Sequence, residues 1–273
     1  MGGNSISPKN GTGKIEEQFE RTRQALDGIA HFIYRGYNLC INHGNGPQVG
    51  NEIMRMELTR KTIPHLPLGV CVASTQGSIG YMIQQCLQNK LRDMDVDREV
   101  VTLVSQVIVD KNDDSFKNPT KYIGKRYTKR EADEMTSQYG WYFKEQEKER
   151  FRRVVPSPMP EYIMHGKSIK ALVDRGTIVI ASGGGGIPVH NNELGQLEGL
   201  DAVIDKDYSA AKMGRIIRAQ ELWIITDVDG VYENFGSPNQ NRISSMTKKE
   251  AEKLHDEGLF QKGSIAPKIR AAI

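Results

Sequence analysis

Apolar residues in this chain gather in short, nearly continuous runs instead of alternating with polar ones: Tyr37 to Ile41, Val100 to Val109, Thr177 to Ala181 and Leu222 to Thr226. A strand that is apolar on both faces has to be covered on both faces, and a parallel sheet packed between helices meets that requirement. The intervening segments supply the helices. From Ile15 to Tyr34, apolar Ile15, Phe19, Leu26, Ile29, Phe32 and Ile33 recur at near-helical spacing, and Gly36 follows as a stop. Val49 to Leu58, with Pro47 marking its start, Ser168 to Asp174 and Tyr208 to Arg218 read as further helices. The expected class is α/β, a buried, mainly parallel sheet with helices on both faces, and in such sheets ligands bind at the carboxyl ends of the strands.

One segment departs from this rhythm. Between Asp110 and Pro160 the chain is charged and Pro-punctuated, yet it carries Tyr122, Tyr127, Tyr139, Trp141, Tyr142 and Phe143, too many aromatic residues for a disordered tract. Thr128-Lys-Arg-Glu131 has the capping-box pattern that starts a helix. Residues 111–158 therefore read as an ordered excursion from the sheet, a lid inserted in a single domain. The net charge is +3, from 37 basic and 34 acidic side chains, which lacks the basic footprint of a nucleic-acid binder, so any anionic ligand has to be recognised locally. Cys40, Cys71 and Cys86 form no CxxC pair, so neither a disulfide framework nor a metal site is indicated, and a reducing, cytoplasmic setting is expected. No stretch approaches the roughly 20 apolar residues of a membrane span.

Glycine-bearing loops stand where strands end or are expected to end: Gly2-Gly3-Asn4, Gly44-Asn45-Gly46, Ser182-Gly183-Gly184-Gly185-Gly186 and Asp227-Val228-Asp229-Gly230. Glycine admits positive φ, and consecutive backbone N–H groups make a concavity that binds anions, phosphate above all. One such loop is explained as well by an ordinary turn, whereas several at the same end of one parallel sheet converge on one crevice. Gly11-Thr12-Gly13-Lys14 imitates the end of a P-loop, but Pro8 and Ile15 stand where that motif needs Gly and Ser or Thr. Three lysines stand out. Lys206, in Val203-Ile204-Asp205-Lys206-Asp207, and Lys268, after Gly263-Ser264-Ile265-Ala266-Pro267, lie at loop-to-helix junctions, and Lys121, in Asn118-Pro119-Thr120-Lys121, lies on the excursion. Each has a plain alternative as a solvated surface lysine, but phosphoryl transfer needs positive charge of this kind. Asp207 is either the N-cap of its helix, the carboxylate that holds the lysines, or both. His43 reads as a packed or hydrogen-bonded residue without acid–base work, and Arg152 and Arg153 as ordering the return from the lid.

Taken in order, His43-Gly-Asn-Gly-Pro-Gln-Val-Gly50, Ser74-Thr-Gln-Gly-Ser-Ile-Gly-Tyr-Met82, Asn118-Pro-Thr-Lys121, Arg153-Val-Val-Pro-Ser-Pro158, Ser182-Gly-Gly-Gly-Gly-Ile-Pro188, Ala202-Val-Ile-Asp-Lys-Asp207, Thr226-Asp-Val-Asp-Gly-Val-Tyr232 and Gly263-Ser-Ile-Ala-Pro-Lys268 resemble the carbamate kinases of the amino acid kinase family. The resemblance implies an open αβα sandwich, a homodimer, and reversible phosphoryl transfer between carbamoyl phosphate and ADP, with Mg2+ accompanying the nucleotide. It implies the ATP-making direction in arginine catabolism. By the matched motifs, Lys206, Lys268 and Lys121 neutralise the transferring group and Asp207 orients the lysines. Gly2, Gly3, Asn4, Gly44, Asn45, Gly46, Ser182, Gly183 and Gly184 line the phosphate site. Thr226, Asp227, Val228 and Tyr232, with Lys206 and Lys268, line the nucleotide pocket. Met1 stands at the Leu of the family's Ala-Leu-Gly-Gly-Asn strand and Ile273 falls short of its last helix and strand, so a fragment lacking the first strand and the C-terminal end is expected. Two other readings stay open: a related kinase for a different carboxylate or a phosphonate, and a catalytically silent nucleotide-binding protein.

Overall fold

The computed structural model describes residues 1–2, 6–7, 11–226, 228, 230–260 and 265–273. Strands β1 (Cys40–Ile41) and β2 (Val100–Thr102) flank β8 (Ile178–Ile180) and both pair with it in parallel, Ile41 opposite Ile180 and Val101 opposite Val179. The chain passes from β2 into β3 (Gln106–Ile108), which belongs to a second sheet. There β3 runs parallel to β9 (Ile187–Asn191) and antiparallel to β7 (Tyr162–Ile163), and β10 (Leu197–Gly199) folds back on β9.

Side chains of β8 alternate between two layers, as the pleat of a strand requires. Ile178 and Ile180 join Leu26 and Ile29 of α1 (Ile15–Tyr34) and Ile83 and Leu87 of α3 (Leu68–Asp93) in one core. Val179 points the other way and joins Ile169 and Val173 of α5 (Gly166–Asp174) and Met213 of α6 (Lys206–Ile217). All three β8 residues are buried, which is why their run in the sequence is unbroken, and each side chain contributes about 1.5–3 kcal/mol by leaving water. Helices on both faces of a parallel sheet give the expected α/β sandwich.

Two expected strands come out differently. Val100 to Val109 is two strands, because Gln76 of α3 intervenes at Ser105: its Oε1 accepts the Ser105 N–H at 2.8 Å and its Nε2 donates to the Ser105 carbonyl at 3.2 Å. Ser105 Oγ in turn accepts the Ser182 N–H at 2.9 Å, so the chain is turned from one sheet into the other at this point. Leu222 to Thr226 forms no strand. Leu222 to Ile225 of that run line a cavity of about 470 Å3 together with Leu39 to Asn42 in and around β1.

The excursion is an antiparallel sheet in the order β4 (Lys121–Tyr127), β6 (Arg150–Val155), β5 (Tyr142–Glu147), with α4 (Lys129–Tyr139) between β4 and β5. The capping box forms as read, Thr128 and Glu131 exchanging side-chain and backbone hydrogen bonds, and Gly140 ends α4 at φ 67°. Ile123, Tyr127, Ala132, Trp141 and Val155 pack on Val49 and Ile53 of α2 (Gly46–Thr59), and the Arg153 guanidinium lies 3.9 Å from the Trp141 ring centre. Gly50 of α2 passes so near β4 that a Cβ there would lie 2.6 Å from the Gly124 Cα.

A short hairpin of β11 (Val231–Glu233) and β12 (Asn241–Ile243) follows, then α7 (Lys248–Asp256) with a second capping box at Thr247 and Glu250, and α8 (Ile265–Ala272), which packs on α6. Among the described residues, no helix is long and apolar enough to cross a membrane.

Candidate active site

The loops after β1 and β8 meet in backbone contact. Gly184 N–H donates to the His43 carbonyl at 2.7 Å, and Asn42 Nδ2 donates to the Ser182 carbonyl at 2.7 Å. The meeting is close enough to require glycine: a Cβ on Gly183 would lie 2.2 Å from His43 Nε2, and one on Gly184 would lie 2.2 Å from Asn45 Nδ2. Ser182 and Gly184 to Gly186 all have positive φ, from 53° to 94°, and the tight loop closes on itself, the Gly185 N–H donating to the Ser182 carbonyl at 3.0 Å and the Gly186 N–H to the Gly183 carbonyl at 3.1 Å. Asn45 is the residue before α2, is 4% exposed and donates to Thr75 Oγ1 at 2.9 Å, while Gly46 opens the helix. Gln76 Nε2 donates to the Gly183 carbonyl at 3.0 Å, and Ser209 Oγ of α6 donates to that of Gly185 at 2.6 Å.

His43 is buried at 1% exposure, and burial pushes its imidazole down to about 4 against the opposing effect of its contact with the Gly44 carbonyl, so the ring is neutral near pH 7. Its Nδ1 donates to that carbonyl at 3.1 Å.

Beside the loops stands a charge cluster at the start of α6. Asp207 Oδ1 accepts from Lys206 Nζ at 2.6 Å and its Oδ2 from Lys268 Nζ, on α8, at 3.3 Å. Asp207 is 7% exposed. It does not cap α6. That cap is Asp205, whose Oδ1 accepts the Asp207 N–H at 2.9 Å, so Asp207 lies in the first helical turn with its carboxylate given over to the lysines. The other Asp205 oxygen, Oδ2, accepts from Lys121 Nζ at 2.5 Å, across 84 residues of sequence. Met1 and Gly2 line the same cavity as Lys206 and Asp207, and burial followed by the nearby Lys206 lowers the Met1 ammonium to about 5.

The structure thus brings together Gly44, Asn45, Ser182, Gly183 and Gly184 as touching loops, and Lys206, Lys268, Asp207 and Lys121 as one ionic cluster. Gly2 joins them at the cavity wall. Gly3, Asn4 and Asp227 lie outside the described residues. Thr226 and Val228 continue from the cavity-lining run, whereas Tyr232 sits in β11 opposite Arg242 with its ring 5.7 Å from that of Phe235, which groups it with the hairpin. Asp205, Gln76, Asn42 and Ser209 were not singled out by sequence reasoning. Only Asp205 carried a signal, as an Asp just before a helix start.

An α/β sandwich whose glycine-bearing strand-end loops meet beside clustered lysines suits the handling of a phosphate group. The family model for the amino acid kinase family matches residues 1–273, and the chain belongs to that family. It is 42% identical to the carbamate kinase of Pyrococcus furiosus over 275 residues, covering 100% of this chain and 87% of that protein, and 43% identical over 278 residues to carbamate kinase 3 of Staphylococcus aureus, with the same coverage. The solved structure of carbamate kinase from Giardia lamblia bound to AMP-PNP superposes with a TM-score of 0.91 at 35% identity, covering 99% of this chain and 86% of that one. Within the amino acid kinase family, these relatives are carbamate kinases.

Proposed function

We propose that this chain is a carbamate kinase that moves a phosphoryl group reversibly between carbamoyl phosphate and ADP. In the ATP-making direction a terminal phosphate oxygen of ADP attacks phosphorus, the bond from phosphorus to the carbamoyl oxygen breaks, and carbamate leaves with the electron pair. Carbamate then breaks down to ammonia and CO2. The observation that carries this reading is the sharing of Asp207 by Lys206 and Lys268. Two ammonium groups from separate helices are held by one buried carboxylate beside the glycine loop that follows β8. That arrangement presents fixed positive charge to a loose, charge-dispersed transition state, and no side-chain nucleophile is needed.

In this reading the loops of residues 44–46 and 182–184, with residues 2–4, surround the phosphoryl group, and residues 226–228 and Tyr232 serve the nucleotide. The excursion is the lid, with Lys121 at its foot, and it is supported by the packing of that sheet on α2. Mg2+ enters with the nucleotide as part of the substrate. Asp205 and Asp207 are engaged by lysines, and the reading gives the ion its ligands from the phosphates and water. The reading includes a homodimer, a cytoplasmic setting and the ATP-making direction in arginine catabolism. An apolar partner surface is supported by Val70 and Tyr81 on α3, 43% and 60% exposed.

Supplying carbamoyl phosphate and ADP–Mg and measuring ATP tests the reading directly. A folded sample that binds ADP and makes no ATP overturns it. Lys268→Ala should lower kcat by about 100-fold or more, the scale set by deleting one transition-state donor, with little change in melting temperature. Unchanged kcat removes Lys268 from the site.

A further inference from the structure

Asp205 divides its two carboxylate oxygens between separate tasks. Oδ1 accepts the Asp207 N–H at 2.9 Å and so starts α6, and Oδ2 accepts the ammonium of Lys121, the first residue of β4, at 2.5 Å. The side chain is 15% exposed, against 32% for Lys121. Burial raises its carboxyl, but the charge and hydrogen bond of Lys121, with the Asp207 N–H, outweigh this and hold it below the ordinary 3.8. Three lysines facing two carboxylates leave a single positive charge here, suited to an incoming phosphoryl group.

Lys206 and Lys268 are fixed to one another through Asp207, whereas Lys121 comes from a different sheet. Its stem is long and flexible, and without a tether it samples rotamers that do not face the start of α6. We propose that Asp205 is a positioning residue for phosphoryl transfer: it ties the lid lysine to the helix start that carries Lys206 and Asp207, so that all three ammonium groups meet the same phosphoryl group. This rests on the phosphotransfer reading above. A lysine delivered in advance loses less freedom on meeting substrate, and that advantage appears in kcat.

Asp205→Ser separates the two tasks, since a serine hydroxyl still accepts the Asp207 N–H but is too short to reach Lys121. The expected result is a kcat for ATP formation lower by roughly 10-fold to 100-fold with KM for ADP unchanged, the scale of a misplaced catalytic group. Lys121→Ala should lose at least as much, and the Asp205→Ser/Lys121→Ala double variant should be no slower than Lys121→Ala alone. A purely structural cap would multiply the losses. Multiplied losses, or an Asp205→Ser kcat within about twofold of wild type, overturn the proposal. Should Asp205→Ser fail to fold, Asp205→Asn in the same cycle decides, because its one carbonyl oxygen keeps the cap and its amide faces Lys121 without charge.

A second readout does not depend on turnover. Acylation of Lys121 by an amine-directed reagent, followed by peptide mass spectrometry, should quicken several-fold in Asp205→Ser at unchanged melting temperature, and an unchanged rate overturns the tether. Wild-type protein that binds ADP without making ATP sinks the phosphotransfer reading, and the acylation rate then still judges the tether on its own.

Discussion

His43 sits where the two glycine loops touch, and its burial ties the integrity of that contact to pH. The fold favours the neutral ring, with a value of about 4 against an ordinary 6.5. A depressed histidine contributes stability that is complete above pH 6.5 and is lost as pH falls toward the folded value, because the unfolded chain takes up the proton first. At about 1.4 kcal/mol per pH unit, that loss is on the order of 3 kcal/mol. Urea unfolding at pH 7 and at pH 4.5 should therefore show a steeper fall for the wild type than for His43→Asn, and equal slopes would show that the ring titrates freely. The residue scale also shows where sequence reasoning stopped. Lys206 and Asp207 stand out in the sequence because they lie at a charge-rich loop-to-helix junction, and Lys268 because it follows Gly263-Ser264-Ile265-Ala266-Pro267 near a helix start. The division of work between Asp205 and Asp207 does not. It depends on where α6 starts to within two residues, and Asp-Lys-Asp offers a capping carboxylate at either position.

At the crossing of α2 and β4, backbone meets backbone. Gly50 and Gly124 face each other without side chains, and a Cβ on Gly50 would lie 2.6 Å from the Gly124 Cα, against backbone that has no flexible end to move. Gly50→Ala should therefore push β4 away from α2 at a cost of about 1–3 kcal/mol, the range for overpacking a close contact. Lys121 lies three residues along β4 from Gly124, so the displacement reaches it, and kcat should fall more than the melting temperature alone would explain. Full activity in a folded Gly50→Ala protein would show that the excursion docks independently of this contact. Elements defined by local signals were readable in advance: the start of α2 at Pro47, the capping box of α4, and α5 to within two residues. The break between β2 and β3 was not, because the side chain that makes it, Gln76, lies on another element and spends its amide on the Ser105 backbone. The Leu222 to Thr226 run failed for a related reason. A continuous apolar run predicts a covered segment, and here Leu222 is 43% and Trp223 62% exposed, with the run facing the cavity instead of a strand partner.

The proposed site draws on residues near 44, 121, 183, 206 and 268, so that the first loop, the excursion, the second loop and two helices would each supply a part. Three hydrophobic cores stand behind it: one under α1 and α3, one joining the excursion to α2, and one under α5 and α6. A ligand that touches the lysines and the loops therefore joins parts that no single core holds together. Binding to the folded state alone stabilises by about 2.7 kcal/mol at a free ligand concentration of 100 times Kd. For a chain of this size that is a rise in melting temperature of roughly 5–10 °C. Thermal unfolding with saturating ADP–Mg should show such a rise in the wild type, and Lys206→Ala/Lys268→Ala should show much less of it at the same nucleotide concentration. Hydrogen exchange separates a shared site from a local one. Nucleotide should slow exchange together at Gly183 to Gly185, at the start of α6 and along β4, because the Lys206, Asp207, Lys268 and Lys121 contacts link them. Slowing confined to the β11–β12 hairpin and its flanks would place the nucleotide away from the lysine cluster, and the phosphoryl path would then have to be drawn elsewhere.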